Sequence, residues 1–199
     1  MTPDTTAIIL LGAGRSSRFG GEKLLAPMAG RRVLDWALDA ALESGLRPVI
    51  LVTRPDLASI PLPKEVHLKV NPHPEEGLSA SIRSGIQAAE AANCRAAIFA
   101  PADQPLLHGE VYRRLVRSRQ AGHPIAVASF DGQIRNPVLL GVGWWDAANL
   151  LQGDQGLSRL IRTPGTRRVE CGDIASVTDI DTPADLTGVE EILSQRRTG

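Results

Sequence analysis

The hydrophobic positions of this 199-residue chain follow two alternating patterns. Apolar runs of strand length occupy residues 7–11, 48–53, 96–100 and 124–129, with a weaker run near 66–70. Between them, apolar residues recur at helical spacing over residues 31–45, 77–92 and 109–122. Strands separated by helices form βαβ units with right-handed crossovers. The pattern therefore predicts an α/β fold with a mostly parallel sheet.

The same pattern predicts one domain spanning residues 1–199. No internal repeat or low-complexity linker interrupts it, and residues 54–77 are a proline-broken, loop-rich connection. We expect the tail from about residue 195 to be frayed.

The charge pattern limits the kinds of partner. Basic and acidic residues number 22 each, so no global field favours nucleic acid or a membrane surface. No secretory signal or membrane-spanning segment is visible, and the cysteines, Cys94 and Cys171, lack metal-ligand spacing. Two widely separated thiols favour a reducing compartment, so we expect a cytoplasmic protein.

A glycine-rich loop follows the first predicted strand. Gly12, Gly14 and Gly20 allow close backbone approach to a ligand, and the loop also carries the cations Arg15, Arg18 and Lys23. Backbone N–H groups and cations together form an anion site, so a polyphosphate is the expected ligand.

The loop departs from two common phosphate-binding patterns. A Walker A loop would need a hydroxyl residue after Lys23, where Leu24 stands. A dinucleotide fingerprint would need a glycine at Ser17 and an acid after the second strand, where Thr53 and Arg54 stand. Arg54 could bind the 2′-phosphate of NADP, so an NAD(P)H-dependent reductase stays open as an alternative.

Two acidic segments supply candidate magnesium ligands. Asp103 directly follows a buried strand, at the edge where ligands of a parallel sheet bind. In the second segment, Thr182 and Asp185 form a helix start with the acid as a capping residue, which leaves Asp181 as the better metal candidate and Asp179 as a weaker one.

The motifs, taken in order, resemble those of molybdenum cofactor nucleotidyltransferases. The stretch LLGAGRSSRFGGEKLL is similar to the family's signature L-x-[AG]-G-x-S-x-R-[MF]-G-x-x-K, and ADQP and DIDTPADL are similar to later motifs. The segment GLSASIRSG is similar to a helix start in the family, and it carries Ser79, Ser81 and Arg83. The resemblance extends from residue 8 to about residue 186 and implies a Rossmann-like three-layer α/β/α nucleotidyltransferase fold.

Two segments depart from the family pattern. Arg135 stands where the family's G-x-P-V segment has glycine, and Leu157 and Ser158 replace the Ala-Arg pair of G-D-x-G-A-R. This second region is expected to face the acceptor, so the acceptor's identity stays open.

The resemblance implies a Mg²⁺-dependent transfer of CMP from CTP to the phosphate of molybdopterin, with release of pyrophosphate. Ala13 accompanies cytidine users in the family, so CTP is favoured over GTP. The implied downstream partner is a molybdenum hydroxylase or its chaperone. Catalysis is assigned to Lys23, Arg18 and Asp103, and magnesium binding to Asp103 and Asp181. Nucleotide binding is assigned to Leu11, Gly12, Ala13, Gly14, Arg15, Ser16, Lys23, Ser79, Ser81 and Arg83.

Alternative functions remain. The donor could be GTP, or the acceptor could be another phosphorylated compound such as a sugar phosphate or a methylerythritol phosphate. The reductase of a small aromatic substrate is a candidate from a different class.

Overall fold

The computed structural model describes residues 5–14 and 19–198, with side chains up to residue 193. Its strands are β1 (Thr6–Gly12), β2 (Pro27–Met28), β3 (Arg31–Arg32), β4 (Val49–Thr53), β5 (Val66–Val70), β6 (Ala96–Pro101), β7 (Ile125–Phe130), β8 (Gln133–Gly141) and β9 (Arg167–Glu170). Its α-helices are α1 (Val33–Glu43), α2 (Leu78–Ala91), α3 (Gly109–Gln120), α4 (Trp145–Asn149) and α5 (Pro183–Thr198). Short 3₁₀ helices cover Lys23–Leu25, Pro55–Leu57, Pro74–Glu76, Val142–Trp144 and Leu157–Arg162.

Seven strands form one sheet in the order β5-β4-β1-β6-β8-β7-β9. Neighbours from β5 through β6 are parallel, and so are β7 and β9. Within this sheet, as far as the chain is described, only β8 runs antiparallel to its neighbours, because a tight turn at Asp131 and Gly132 joins it to β7 as a hairpin. The short strands β2 and β3 pair with each other in a separate antiparallel sheet. The predicted mostly parallel sheet is therefore confirmed.

Side chains of the central strands alternate between two apolar layers. Ile8 and Leu10 of β1 face the layer formed with α1 and α3, whereas Ile9 faces the layer formed with α2 and α4. Both layers exclude water, so strands such as β1 are apolar on both faces and lack the alternation of a half-exposed strand. The three-layer α/β/α arrangement implied by the resemblance is confirmed.

A third apolar cluster attaches the C-terminal helix to the rest of the protein. Val189 and Leu193 of α5 pack with Met28, Val33 and Leu106. The Glu190 carboxylate accepts a hydrogen bond from the Ala29 N–H at 2.6 Å. This docking fixes the segment that precedes α5, which carries Asp179 and Asp181.

In the described part of the chain, no helix is long and apolar enough to cross a membrane.

Candidate active site

A cavity of about 830 Å³ opens at the carboxyl ends of β1 and β6. Its wall continues onto β8, the first turn of α2 and the segment around Leu157. Carboxyl ends of neighbouring parallel strands meet at one edge of a sheet, which makes this edge the usual place for a ligand. The cavity therefore lies where the sequence places the glycine-rich loop and Asp103.

Lys23, Asp103 and Asp181 converge at this edge, although they come from three distant parts of the chain. The Lys23 ammonium forms an ion pair with the Asp103 carboxylate, and its Nζ lies 3.5 Å from Oδ1 of Asp181. Asp103 also lines the cavity. Two carboxylates and one cation thus meet beside the cavity.

Asp103 is largely buried, with 16% of its side chain exposed. Burial raises the pKa of its carboxyl group, because the charged form loses hydration. The Lys23 ammonium opposes that increase, and the carboxylate of Asp179 adds to it. The ion pair with Lys23 therefore compensates part of the cost of burying the Asp103 charge.

Hydrogen bonds join the two acidic segments. The Ile180 N–H donates to the backbone carbonyl of Asp103 at 3.1 Å. The side-chain amide of Gln104 donates to Oδ1 of Asp179 at 2.7 Å. Gln104 is 2% exposed and lines the cavity, and its Oε1 accepts no hydrogen bond from the described residues.

Asp185 has the capping role that its spacing predicts. Its carboxylate accepts hydrogen bonds from the N–H groups of Thr182 at 2.7 Å and of Asp181 at 2.9 Å, and from the Thr182 hydroxyl at 3.0 Å. These bonds lower the pKa of Asp185. Asp185 is therefore committed to the start of α5, and it orients the backbone so that the Asp181 side chain reaches Lys23.

The donor set suits a hard divalent cation. Mg²⁺ takes one or two protein carboxylates and completes its octahedron with phosphate oxygens and water. Asp103 and Asp181 both lie within reach of the Lys23 ammonium, so they are two carboxylates that can face one cation. Among the described residues, no group of three or more His, Cys, Asp or Glu side chains is arranged to hold a metal ion.

The predicted residues of the first loop other than Lys23 divide into three groups. Leu11, Ala13 and Gly14 line the cavity. Gly12 lies beneath it, where an added Cβ would stand 3.0 Å from Cδ1 of Leu24. The remaining predicted residues of the loop, Arg15, Ser16 and Arg18, lie outside the described residues.

One of the three residues predicted at the start of α2 lines the cavity. Ser81 lines the cavity, and its hydroxyl accepts a hydrogen bond from the Asn71 side-chain amide at 3.2 Å. Ser79 is fully buried, and its N–H donates to the Gly153 carbonyl at 3.0 Å. Neither Ser79 nor Arg83 is among the residues lining the cavity.

Arg83 connects elements on the outside of the cavity. Its guanidinium donates to the Leu151 carbonyl at 3.0 Å and to the Glu76 carboxylate at 2.7 Å. These contacts attach α2 to the segment after α4. Nucleotide binding by Ser79 and Arg83 stays a prediction.

Several cavity residues were not assigned a role from the sequence. They are Gln104, which lies inside the ADQP motif, Asn136 beside the noted Arg135, and Asp154 against the first turn of α2. Gly77 has a φ of +87°, and an added Cβ would stand 2.6 Å from Oδ1 of Asp154. The signal for these residues was their place in a motif, but only the fold brings the motifs together.

Arg54 contacts the two ends of the glycine-rich loop. Its guanidinium donates to the Gly14 carbonyl at 2.5 Å and forms an ion pair with Glu22. A second carboxylate, that of Asp56, lies 2.8 Å away. Two carboxylates and one backbone carbonyl therefore surround the Arg54 guanidinium, the group that would have to bind the 2′-phosphate of NADP.

Comparisons with known proteins agree with this arrangement. The chain is 31% identical to the purine catabolism protein PucB of Bacillus subtilis (strain 168), over 94% of this chain and 96% of that protein. It is 31% identical to a molybdenum cofactor guanylyltransferase of Xanthomonas euvesicatoria pv. vesicatoria (strain 85-10), over 58% of this chain and 55% of that protein.

Solved structures share the fold at lower identity. Rv0371c of Mycobacterium tuberculosis H37Rv superposes with a TM-score of 0.83 at 24% identity, over 96% of this chain and 100% of that one. A second Rv0371c structure, described as a complex with manganese, has a TM-score of 0.76 at 21% identity, over 94% of this chain and 98% of that one. The sequence pattern of one family, the MobA-like NTP transferase domain, matches residues 8–170. The chain therefore belongs to the MobA-like NTP transferase family.

Proposed function

We propose that this protein is a Mg²⁺-dependent cytidylyltransferase that transfers CMP from CTP to the phosphate of a molybdopterin-type cofactor and releases pyrophosphate. The observation that carries the proposal is the convergence of Lys23, Asp103 and Asp181 beside a cavity that the glycine-rich loop borders. One cation and two carboxylates at the end of a phosphate-binding loop suit the transfer of a nucleotidyl group.

The reaction needs little covalent chemistry from the protein. A phosphate monoester is already ionised at neutral pH, so its oxygen can attack the α-phosphorus without a protein base. The new P–O bond forms as the bond between the α-phosphorus and the α,β-bridging oxygen breaks, and pyrophosphate leaves. The protein must align the two substrates and stabilise the developing charge.

Lys23 supplies a positive charge for the phosphates of the donor. Asp103 and Asp181 would hold the divalent cation, which when bound neutralises charge on the donor phosphates. The hydrogen bond from the Ile180 N–H fixes the backbone of Asp103, and the ion pair with Lys23 holds its carboxylate. Arg18, through its position in the signature loop, is proposed to contact the same triphosphate.

The choice of CTP rests on Ala13, which lines the cavity and is 5% exposed. In the family that this chain resembles, alanine at this position accompanies cytidine users and glycine accompanies guanosine users, and the added methyl group changes the depth of the pocket modestly. The relative from Xanthomonas euvesicatoria is named for guanylyl transfer, so GTP is the competitor that the experiment must include.

A second candidate keeps the same reaction with another phosphorylated acceptor. Leu157 and Ser158 line the cavity where the family pattern has Ala-Arg, so the acceptor wall differs from that pattern. The NADPH alternative is disfavoured because Glu22, Asp56 and the Gly14 carbonyl surround the Arg54 guanidinium.

Thermal shift tests the donor first. CTP, GTP, ATP and NADPH are compared with and without Mg²⁺ on the wild type, on Asp103→Asn and on the control Asp146→Asn, an exposed acid on α4. We expect the largest shift with CTP and Mg²⁺, lost in Asp103→Asn and kept in the control. Stabilisation by NADPH that is indifferent to Mg²⁺ and to Asp103 would contradict the proposal.

Turnover tests the acceptor. Pyrophosphate release is measured with CTP and molybdopterin, and in parallel with methylerythritol 4-phosphate and N-acetylglucosamine 1-phosphate. Pyrophosphate release with molybdopterin and with neither of the other two compounds supports the proposed acceptor. Pyrophosphate release with one of the other compounds but not with molybdopterin would mean that the protein is a nucleotidyltransferase with a different acceptor.

A further inference from the structure

The charges that line the cavity are unevenly distributed. Four acidic residues contribute to the described wall: Glu75, Asp103, Asp154 and Asp179. Among the described lining residues, Arg135 is the only cation. A cavity that takes a triphosphate and a second phosphate therefore carries few positive charges of its own on this wall.

Arg135 lies on β8, the strand that pairs with β6 on the side away from β1. Its guanidinium donates to Oε1 of Gln133 at 2.6 Å and to the Ile134 carbonyl at 3.3 Å. Both partners are neutral, and Arg135 forms no ion pair with a described carboxylate. Its guanidinium is therefore an exposed positive charge at the cavity wall that no described carboxylate pairs with.

Lys23 is placed differently. It already pairs with Asp103 and lies near Asp181, at the edge assigned to the triphosphate and its cation. The acceptor phosphate is a dianion that must approach the negatively charged α-phosphate to within about 3–3.5 Å. A separate cation on the acceptor's side lowers the cost of that approach, and a guanidinium can bind two phosphate oxygens at once.

We infer that Arg135 binds the phosphate of the acceptor and thereby determines the preference of this protein for phosphorylated acceptors. The inference rests on the proposed nucleotidyl transfer. The family pattern has glycine at this position, and a glycine has no side chain that could bind a phosphate. The expected acceptor is a phosphate monoester whose phosphate reaches β8, and this expectation does not depend on the rest of the acceptor molecule.

Phosphate binding is measured directly, so the test does not depend on the identity of the acceptor. Inorganic phosphate is titrated calorimetrically into the protein alone and into the protein saturated with α,β-methylene-CTP and Mg²⁺. The variants are Arg135→Gln, Arg135→Lys and the control Arg167→Gln, which removes an exposed arginine from β9 at the edge of the sheet.

We expect Arg135→Gln to weaken phosphate binding by at least about tenfold, as the loss of a charge-assisted contact implies. The phosphate affinity of Arg135→Lys should lie between those of Arg135→Gln and the wild type, and that of Arg167→Gln should match the wild type. The affinity of every variant for the CTP analogue should stay within about twofold of the wild-type value. Unchanged phosphate affinity in Arg135→Gln, or no phosphate binding by the wild type, would overturn the inference. A parallel loss of analogue affinity would also overturn it, because Arg135 would then contact the triphosphate.

Steady-state kinetics separate this inference from the proposed function. With molybdopterin and CTP, Arg135→Gln should raise KM for the acceptor by at least about tenfold and leave KM for CTP unchanged. A general structural defect would change the KM for the acceptor and the KM for CTP together. If molybdopterin is not a substrate of the wild type, the proposed acceptor fails, and the phosphate titration still decides the role of Arg135.

Discussion

Lys23 illustrates how one side chain can serve both structure and chemistry. Its ammonium compensates the buried carboxylate of Asp103 and reaches Asp181. Removing one partner of a buried pair leaves the other charge without compensation, which is costly. The same ammonium is proposed to contact the donor phosphates, so a substitution here should affect stability and transfer together.

Lys23→Met should reduce kcat/KM for nucleotidyl transfer by about 10²–10³-fold, because a charge that stabilises the transition state is lost. It should also lower the midpoint of thermal unfolding at neutral pH, since Asp103 stays buried without its cation. Steady-state kinetics and thermal denaturation measure the two effects. Lys64→Met, at an exposed site, is the control and should change neither. A kcat/KM within about threefold of the wild type would contradict the role of Lys23.

At this scale, sequence and structure agree best where one motif fixes one position. Asp103 after a buried strand and Asp185 as the cap of α5 could both be predicted from local chemistry. The contacts of Arg83 and Arg54 could not, because their partners Leu151 and Glu22 lie far away in the sequence. A local pattern contains no information on which distant group will meet a long side chain.

At the scale of elements, α2 lies unusually close to the sheet. An added Cβ on Gly85 would stand 2.7 Å from Cγ2 of Ile9, a residue of β1 that is completely buried. Glycine in the middle of a helix normally costs about 0.5–1 kcal/mol relative to alanine. Here its small size permits the close contact between α2 and β1.

Gly85→Ala should therefore lower the free energy of unfolding by about 1–3 kcal/mol, since overpacking a closely packed interface forces shifts that outweigh the gain in helix propensity. Gly188→Ala is the matched control on α5, where an added Cβ meets no atom within 4 Å. The control should keep or raise stability by up to about 1 kcal/mol. Urea denaturation of both variants measures the difference, and equal stabilities would refute the close contact.

The elements themselves could be predicted unequally. Hydrophobic runs located β1, β4, β6 and β7 and the helices between them, since buried parallel strands are continuous apolar segments. The antiparallel strand β8 and the edge strand β9 were not predicted. The first half of β8 is polar and exposed, and β9 contributes two exposed arginines, so neither has the apolar run that marked the others.

At the scale of the whole molecule, the docking of the C-terminal helix α5 links the stability of the fold to the position of Asp181. The family pattern ends at residue 170, yet the segment that follows it supplies Asp181. The position of that carboxylate depends on the docking of α5 against Met28, Val33 and Leu106. Loosening this cluster should therefore weaken binding of the divalent cation without any change to its proposed ligands.

Val189→Ala tests this coupling. Val189 is 1% exposed, and removing two buried methyl groups should cost about 1.5–3 kcal/mol of unfolding free energy. Because α5 then docks less firmly, we also expect a higher Mg²⁺ concentration for half-maximal pyrophosphate release, with KM for CTP at saturating Mg²⁺ unchanged. Thr187→Ala, an exposed site on the same helix, should change neither quantity. If Val189→Ala loses stability while its Mg²⁺ dependence matches the wild type, the position of Asp181 does not depend on α5, and the metal site is fixed instead by the contacts of residues 179 and 180 with Asp103 and Gln104.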